Sequence, residues 1–593
     1  VKGDSKETRG GNVLEKGRNV TGGRSPVSSL LARLSEEQRR VPSTHLAAQV
    51  LEEVAQDLGL TLAFVHGVAT FYSMLSESSR GRHIIRVCES PQCHLAHGGE
   101  LVDRLKGLLG VSPGETTPDG EFTLELSSCL GACDHAPALL LDDALYDDVR
   151  GDDLPKLLAT ARQSEWVGPK EGPATILGGP RRLLRDMGGR LEDAVAAGAY
   201  EALNKAVTRM TPDEVLRAVK EARLRGRGGA AFPTGRKWEF ARQAVGEPKY
   251  LVCNADEGEP GTFKDRVLLE CTPHRVLEGM ALAAYAIGAS RGYIYIRGEY
   301  AQAIRRIEEA VGKARQAGYL GEKILGTPFS FDIEVHRGAG AYVCGEETSL
   351  IDSIEGKRGF PRLRPPYPAT AGLWAKPTVV NNVETLANVP DIVRDGPAAY
   401  RRLGTESSPG TKLYPLSGAV ARPGLVEAEM GISLRKLVFE FGGGMRRGSE
   451  FKTALIGGAA GVFLGPDMLD VPLECDALAA RGAALGSGAV LVLDQGCRGA
   501  SLLQDILHFF AHESCGQCVP CRLGTARLAE QMDALVEGRG SDKDVQAMLE
   551  AARRMRETSL CPLGQSCYPM LESAMKFFRA ELLAGQTGGV RAR

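Results

Sequence analysis

The chain has 593 residues, 43% hydrophobic and 25% charged, with a net charge of −2 at neutral pH. That length exceeds what one core organises, so roughly three or four domains are expected, and the small charge gives no global pull toward nucleic acid or an anionic membrane. The longest apolar runs, near Gly279–Ser290 and Gly482–Leu493, are about a dozen residues and fit core elements better than membrane spans.

Residues 1–28 are polar and glycine-rich without an apolar stretch; they read as a flexible tail rather than a secretory signal, and a cytoplasmic location is expected. From 29 to 80, Leu46, Val50, Leu51, Val54 and Leu58 recur at helical spacing and predict a helical segment. Over 81–165 a strand delivers Cys88, a helix follows over Glu100–Leu109, and the strand Phe122–Leu126 delivers Cys129, which is a small α/β domain. Residues 166–211 carry Gly-Pro pairs and read as a linker and leading segment. Between 212 and 408, strands (Tyr250–Cys253, Tyr293–Ile296, Phe331–Val335) alternate with helices (Trp238–Val245, Pro273–Gly288, Tyr300–Ala317), as in a mostly parallel layered sheet. Short strands with glycine turns over 409–500 predict a compact β-rich domain, and 501–593 reads as helical.

Of the 14 cysteines, eight fall into two groups, which in a long chain points to metal rather than disulfides. Cys88-x4-Cys93 with Cys129-x3-Cys133 places four thiolates after two strands, a donor set that selects iron–sulfur or zinc. Cys515-x2-Cys518-x2-Cys521 with distant Cys561 is the pattern that holds a cubane, with four-thiolate zinc as the alternative and Cys567 as a second candidate for the fourth ligand. The loop GRGGAAFPTG (Gly226–Gly235) before a helix can turn backbone N–H groups toward a phosphate. NADEGEPGTFKDR (Asn254–Arg266) follows a strand, where open α/β sheets bind ligands. RGAGAYVCGEETSL (Arg337–Leu350) and VVNNVET (Val379–Thr385) add glycines, Tyr342 and paired amides. Taken singly, these loops are also compatible with ordinary turn chemistry.

Together with GVATFY (Gly67–Tyr72), these motifs resemble the electron-input module of the respiratory complex I family across nearly the whole chain after the tail. Residues 30–160 resemble its small [2Fe–2S] subunit, and about 175–585 its larger flavoprotein. A fusion of the two is familiar in NAD-dependent formate dehydrogenases and NAD-reducing hydrogenases. The resemblance implies a multidomain α/β fold. Its parts are a thioredoxin-like [2Fe–2S] domain, a Rossmann-like FMN/NADH domain, a ubiquitin-like β-grasp domain and a C-terminal helical bundle with a [4Fe–4S] cluster.

It also implies roles. Gly226, Arg227, Gly228, Gly229 and Lys237 hold the FMN phosphate and ribityl chain. Asn254, Asp256 and Glu257 contact the flavin, and Tyr342, Gly345, Glu346, Glu347, Asn381, Asn382 and Thr385 complete its pocket. Phe232 and Phe240 stack on the adenine of NAD(H), with Tyr367 nearby, and Glu259 and Glu347 lie beside the nicotinamide nucleotide. Ala231, Gly258, Arg364 and Tyr367 depart mildly from the family's commonest residues. The partners implied are other redox subunits carrying further iron–sulfur clusters and the terminal catalytic site. NAD-dependent formate dehydrogenase is the first expectation for that parent, followed by NAD-reducing [NiFe] hydrogenase and NADH:quinone oxidoreductase. A zinc-stabilised scaffold without redox chemistry is the reading from a different class.

Overall fold

The structure, a computed structural model, describes residues 29–40, 44–169, 175–185 and 187–584; the tail expected over 1–28 lies outside them. The first sheet contains β1 (His83–Cys88), β2 (Phe122–Ser127), β3 (Leu139–Leu141) and β4 (Ala144–Tyr146), in the order β2-β1-β3-β4. β1 is central, parallel to β2 and antiparallel to β3. Its position between two neighbours explains why all six residues are buried.

A short strand, β5 (Ile176–Gly178), falls in the segment expected to be linker. It joins the edge of a six-stranded sheet formed much later in the chain. The parallel sheet comes between them: β6 (Lys249–Ala255), β7 (Ala289–Ile296), β8 (Asp332–Arg337) and β9 (Thr378–Asn382), in the order β8-β7-β6-β9. All three pairings are parallel. The chain winds outward from β6 through β7 to β8, then returns to place β9 on the other side of β6. That reversal makes the crevice beyond the carboxyl ends of β6 and β9 a topological switch point. β9 lies in VVNNVET, whose amides, not its strand character, attract notice in the sequence.

A parallel sheet needs cover on both faces. Residues alternate across the strands: Leu251, Cys253, Ile294 and Val379 pack on one side with the helix Pro273–Ile287, of which every residue except Tyr285 is buried. Gly279 lets this helix approach the next, since a Cβ there would lie 2.1 Å from the Leu386 carbonyl oxygen. Tyr250, Val252, Tyr293 and Val380 face the other side, and their cover comes from the N-terminal helices Leu30–Arg40, Ala48–Leu58 and Leu62–Ala69. Backbone bonds from Ser73 and Met74 to the carbonyls of Gly340 and Ala339 fasten them.

The six-stranded sheet adds β10 (Thr411–Gly418), β11 (Gly424–Glu429), β12 (Phe451–Ile456), β13 (Val462–Leu464) and β14 (Val490–Asp494), in the order β13-β12-β14-β10-β11-β5. β10 pairs antiparallel with β11 and parallel with β14. Four helices, Gly499–His512, Val519–Val536, Asp542–Thr558 and Pro562–Ala584, then pack on one another around Leu503, Phe510, Leu528 and Met570. Among the described residues no helix is long and apolar enough to cross a membrane.

Candidate functional site

β1 ends at Cys88, and the next turn is shaped by Ser90, whose Oγ accepts from the N–H of Cys93 at 3.4 Å as N-cap of a short helix. β2 leads to Cys129, and Gly131, at φ +71°, turns the chain back to Cys133. The four cysteines are at most 4% exposed. The sulfurs of Cys129 and Cys133 are 3.7 Å apart, which matches the separation of ~3.8 Å between two sulfurs about 2.3 Å from one tetrahedral metal. Contact with Cys133 favours ionisation of Cys129, but contact with Cys88 and burial outweigh it and push its pKa up to about 12. Four soft sulfur donors converging in this way suit a metal or iron–sulfur centre.

The second group sits at the top of the helical domain. Cys515 and Cys518 are partly buried in the turn after Gly499–His512, and Cys521 is buried on the next helix. Cys561 precedes the last helix; burial and the neighbouring Cys515 and Cys521 raise its pKa to about 12. Cys567 is fully buried and its thiol points at the Leu563 carbonyl, 3.9 Å away. Cys561 thus lies near Cys515 and Cys521, whereas Cys567 lies near Cys521 and has a partner within its own helix.

Between these groups lies the switch-point crevice. Asn254 closes it from β6, donating to the Gly345 carbonyl at 2.8 Å and accepting from the N–H of Asp256 at 3.1 Å. From β9, Asn381 accepts from Trp238 Nε1 at 2.8 Å, and Asn382 caps the following helix while donating to Asp265 at 2.6 Å. The glycine loop closes over this edge. A Cβ at Gly228 would meet that of Asn382 at 2.9 Å, and Gly229 adopts φ +134°. Ala231 takes φ +52°, a left-handed conformation costing a side chain ~1 kcal/mol that glycine would not incur. Lys237 reaches over to Glu347 at 2.7 Å and to the Val380 carbonyl at 3.0 Å. Glu346 caps Glu347–Ile354 and pairs with Arg364.

Two expected contacts are redirected. The Arg227 guanidinium turns away from the loop and is buried against Tyr400 Oη (3.2 Å) and the Pro409 carbonyl (2.7 Å), while its N–H donates to Thr385 Oγ1 at 2.8 Å. The Glu257 carboxylate accepts from the N–H groups of Asp265 and Arg266 (2.9 and 3.0 Å) at the start of Lys264–Cys271, so it stabilises a helix terminus instead of facing the crevice. Glu259 bridges Tyr342 Oη (2.5 Å) and the N–H of Ala460 (2.8 Å), and burial raises its pKa to about 7. Phe232, Phe240 and Tyr367 are 44, 44 and 57% exposed, and the Arg236 guanidinium lies over the Phe240 ring, 5.8 Å from its centre.

Several residues escaped the sequence reading. Beneath Asn382, Lys264 pairs with Asp265 (2.7 Å) and Glu384 (3.1 Å), and Lys412 pairs with Glu384 at 3.3 Å, all buried. Glu513 accepts from the N–H of Tyr342 at 2.9 Å and from Ser128 Oγ, tying the three regions together. It borders a cavity of about 410 Å3 shared with Ser127, Asp256, Arg297 and Tyr342. Only the lysine and aspartate of the motif around residue 264 carried any sequence signal.

The glycine cradle and the two thiolate sets fit a flavin mononucleotide and two iron–sulfur centres. Family models agree: residues 219–391 match the Nuo51 FMN-binding domain, 20–162 the thioredoxin-like [2Fe-2S] ferredoxin, and 501–585 the NADH-ubiquinone oxidoreductase-F iron-sulfur binding region. The chain is 50% identical over 406 residues to an NADH-quinone oxidoreductase subunit of Rhizobium meliloti (strain 1021), covering 68% of this chain and 96% of the relative. It is 47% identical over 391 residues to the HndC subunit of the NADP-reducing hydrogenase of Solidesulfovibrio fructosivorans, covering 66% and 79% respectively. A solved structure of an NAD+-reducing [NiFe]-hydrogenase in the H2-reduced state superposes with a TM-score of 0.84 at 35% identity, covering 95% of this chain and 94% of its own.

Proposed function

The chain belongs to the family of FMN- and iron–sulfur-containing NADH dehydrogenase subunits of complex I and its relatives, and from that premise we propose how its residues divide the work and which parent enzyme it serves. The observation that carries the reading is the placement of the glycine cradle and paired amides at the switch point, with one thiolate set on either side. FMN held there would supply the link between two-electron hydride exchange with NAD(H) and one-electron exchange with iron–sulfur centres.

Hydride transfer needs no proton donor, so the protein's task is orientation. The N–H groups of Gly228 and Gly229, with Lys237, would hold the phosphate end of FMN, while the N–H groups of Gly226 and Arg227 bond Phe232 and Thr385 and so set the shape of the loop; Asn254, Asn381, Asn382 and Thr385 fix the loops that border the ring. Tyr342, Gly345, Glu346 and Glu347 line the opposite wall. Asp256 faces the shared cavity. Phe232, Phe240 and Tyr367 offer flat apolar faces to the adenine, and Glu259 and Glu347 sit where the nicotinamide nucleotide enters. Cys88, Cys93, Cys129 and Cys133 hold the [2Fe–2S] centre, and Cys515, Cys518, Cys521 and Cys561 the [4Fe–4S] centre.

Electrons would pass between the chain and its partner through the second centre, in either direction. Val519, Leu523 and Leu560, chain neighbours of its ligands, are 55, 61 and 37% exposed, an apolar rim suited to a partner protein. For the parent, fusion of the two modules supports an NAD-dependent formate dehydrogenase, and the full-length structural likeness favours NAD-reducing hydrogenase as the second reading. A cytoplasmic site of action accompanies both. Anaerobically purified chain is expected to lose its flavin absorbance on adding NADH and to reduce an artificial acceptor alone; an FMN-loaded sample that NADH does not bleach refutes the hydride role. Isolation of the chain with its native partners, followed by assays with formate and with hydrogen, separates the two parents.

A further inference from the structure

Arg297 follows β7 at the carboxyl edge of the parallel sheet and is 5% exposed. Its guanidinium spends its donors in three directions. Nη2 donates to the Cys129 carbonyl at 2.6 Å, and Nη1 to the Glu257 carbonyl at 2.8 Å. Nε and Nη2 also bond Glu299, at 3.2 and 2.7 Å. The plane lies 5.0 Å from the centre of the Tyr300 ring. One rigid group therefore fastens a residue of the thiolate loop to the acidic loop that follows β6. Arg266, 3% exposed, adds a second bond from Nε to the Gly131 carbonyl at 3.1 Å and is paired with Glu270 at 3.3 Å. Gly131 has no room for a side chain, since a Cβ would lie 2.3 Å from Tyr300 Oη.

These contacts are costly unless they serve something. Burying two arginines and two glutamates does not by itself stabilise a fold relative to apolar packing. A guanidinium, however, holds two carbonyls in fixed relation in a way that neither lysine nor an apolar side chain can. Each arginine is neutralised by its own glutamate, so what reaches the thiolate loop is a directed N–H dipole. Such donors beside a ligand's peptide stabilise the form of a metal centre that carries more negative charge, raising its reduction potential.

We propose that Arg297, with Arg266 behind it, is a positioning residue that locks the Cys129–Cys133 loop to the flavin crevice and raises the potential of the centre held there, without acting on the centre at Cys515–Cys561. This rests on the reading that Cys129 ligates a [2Fe–2S] centre. Among the described residues no such buried arginine pair reaches the second group, where Arg522 bonds the Gly516 carbonyl from an exposed position.

The test is a redox titration of the full chain, followed by electron paramagnetic resonance, for the unmodified protein, Arg297→Gln, and Arg297→Gln/Glu299→Gln. The double variant removes the buried charge that the single one leaves unpaired, so it remains a fair test if the single variant folds poorly. In both, the [2Fe–2S] signal is expected to persist while its reduction equilibrium falls about tenfold, ~59 mV for one electron; the [4Fe–4S] midpoint stays in place. A double variant whose [2Fe–2S] midpoint is unchanged, or in which both midpoints move together, overturns the proposal while leaving the ligand reading intact. Absence of any [2Fe–2S] signal from the unmodified protein overturns both.

Discussion

The two thiolate groups differ in how completely they are sealed. Cys88, Cys93, Cys129 and Cys133 are sealed, at most 4% exposed, with their loops bonded to the flavin domain by buried arginines. In the second group Cys521 and Cys561 are buried too, at 4 and 6% exposed, but Cys515 and Cys518 are only partly buried, and the residues beside them present apolar side chains to solvent. On the proposed function, the more sealed centre would exchange electrons with the flavin, and the more open one, with its apolar rim, with another protein. Burial thus separates two sites that look alike as cysteine patterns.

The largest expected contrast comes from removing one ligand at each site. Cys518→Ser should abolish the [4Fe–4S] signal and cut electron delivery to the native partner about 100-fold or more, while NADH still bleaches the flavin. Cys129→Ser should abolish the [2Fe–2S] signal and leave delivery within a few-fold. Equal losses of delivery in stopped-flow measurements would erase the division between sealed and open centres. A smaller effect sharpens the same contrast: Leu523→Glu, on the open rim, should weaken partner binding about tenfold, or ~1.4 kcal/mol, with both cluster signals unaltered; calorimetric titration with the partner checks it.

The smallest effect concerns Glu259, which is bonded to Tyr342 and to the N–H of Ala460. Burial raises its pKa from the usual carboxylate range to about 7. The folded state therefore binds its proton more tightly than the unfolded chain does. The resulting stability is complete below about pH 4.5, declines above it and is lost as pH rises through 7. Glu259→Gln should flatten the Tm profile between pH 5 and 8 by a few degrees. A profile as steep as that of the unmodified protein would show that Glu259 does not titrate in that range.

Much of the candidate site was legible because its chemistry is local. Cysteine spacing within each group, the glycine loop and the amide pair are short patterns, and short patterns survive translation into structure. The departures have a common cause. Arg227 and Glu257 lie within these motifs yet direct their side chains elsewhere, because Pro409 and the helix start at Lys264 offer them partners that motif reading does not weigh. β5 went unseen because an edge strand of three residues has almost no periodicity of its own and pairs with β11 nearly 250 residues later.

By itself the sequence determined the ligand types, the alternation of strands and helices, and the glycines that let backbone meet a phosphate, since each follows from residue type and near-neighbour spacing. Only the tertiary structure decided that the N-terminal helices cover the flavin sheet, that β9 returns beside β6 to open the crevice, and that Arg297 and Glu513 join regions far apart in the chain. Those choices depend on which surfaces bury one another and which buried polar groups find partners, and neither is written in any short stretch of residues.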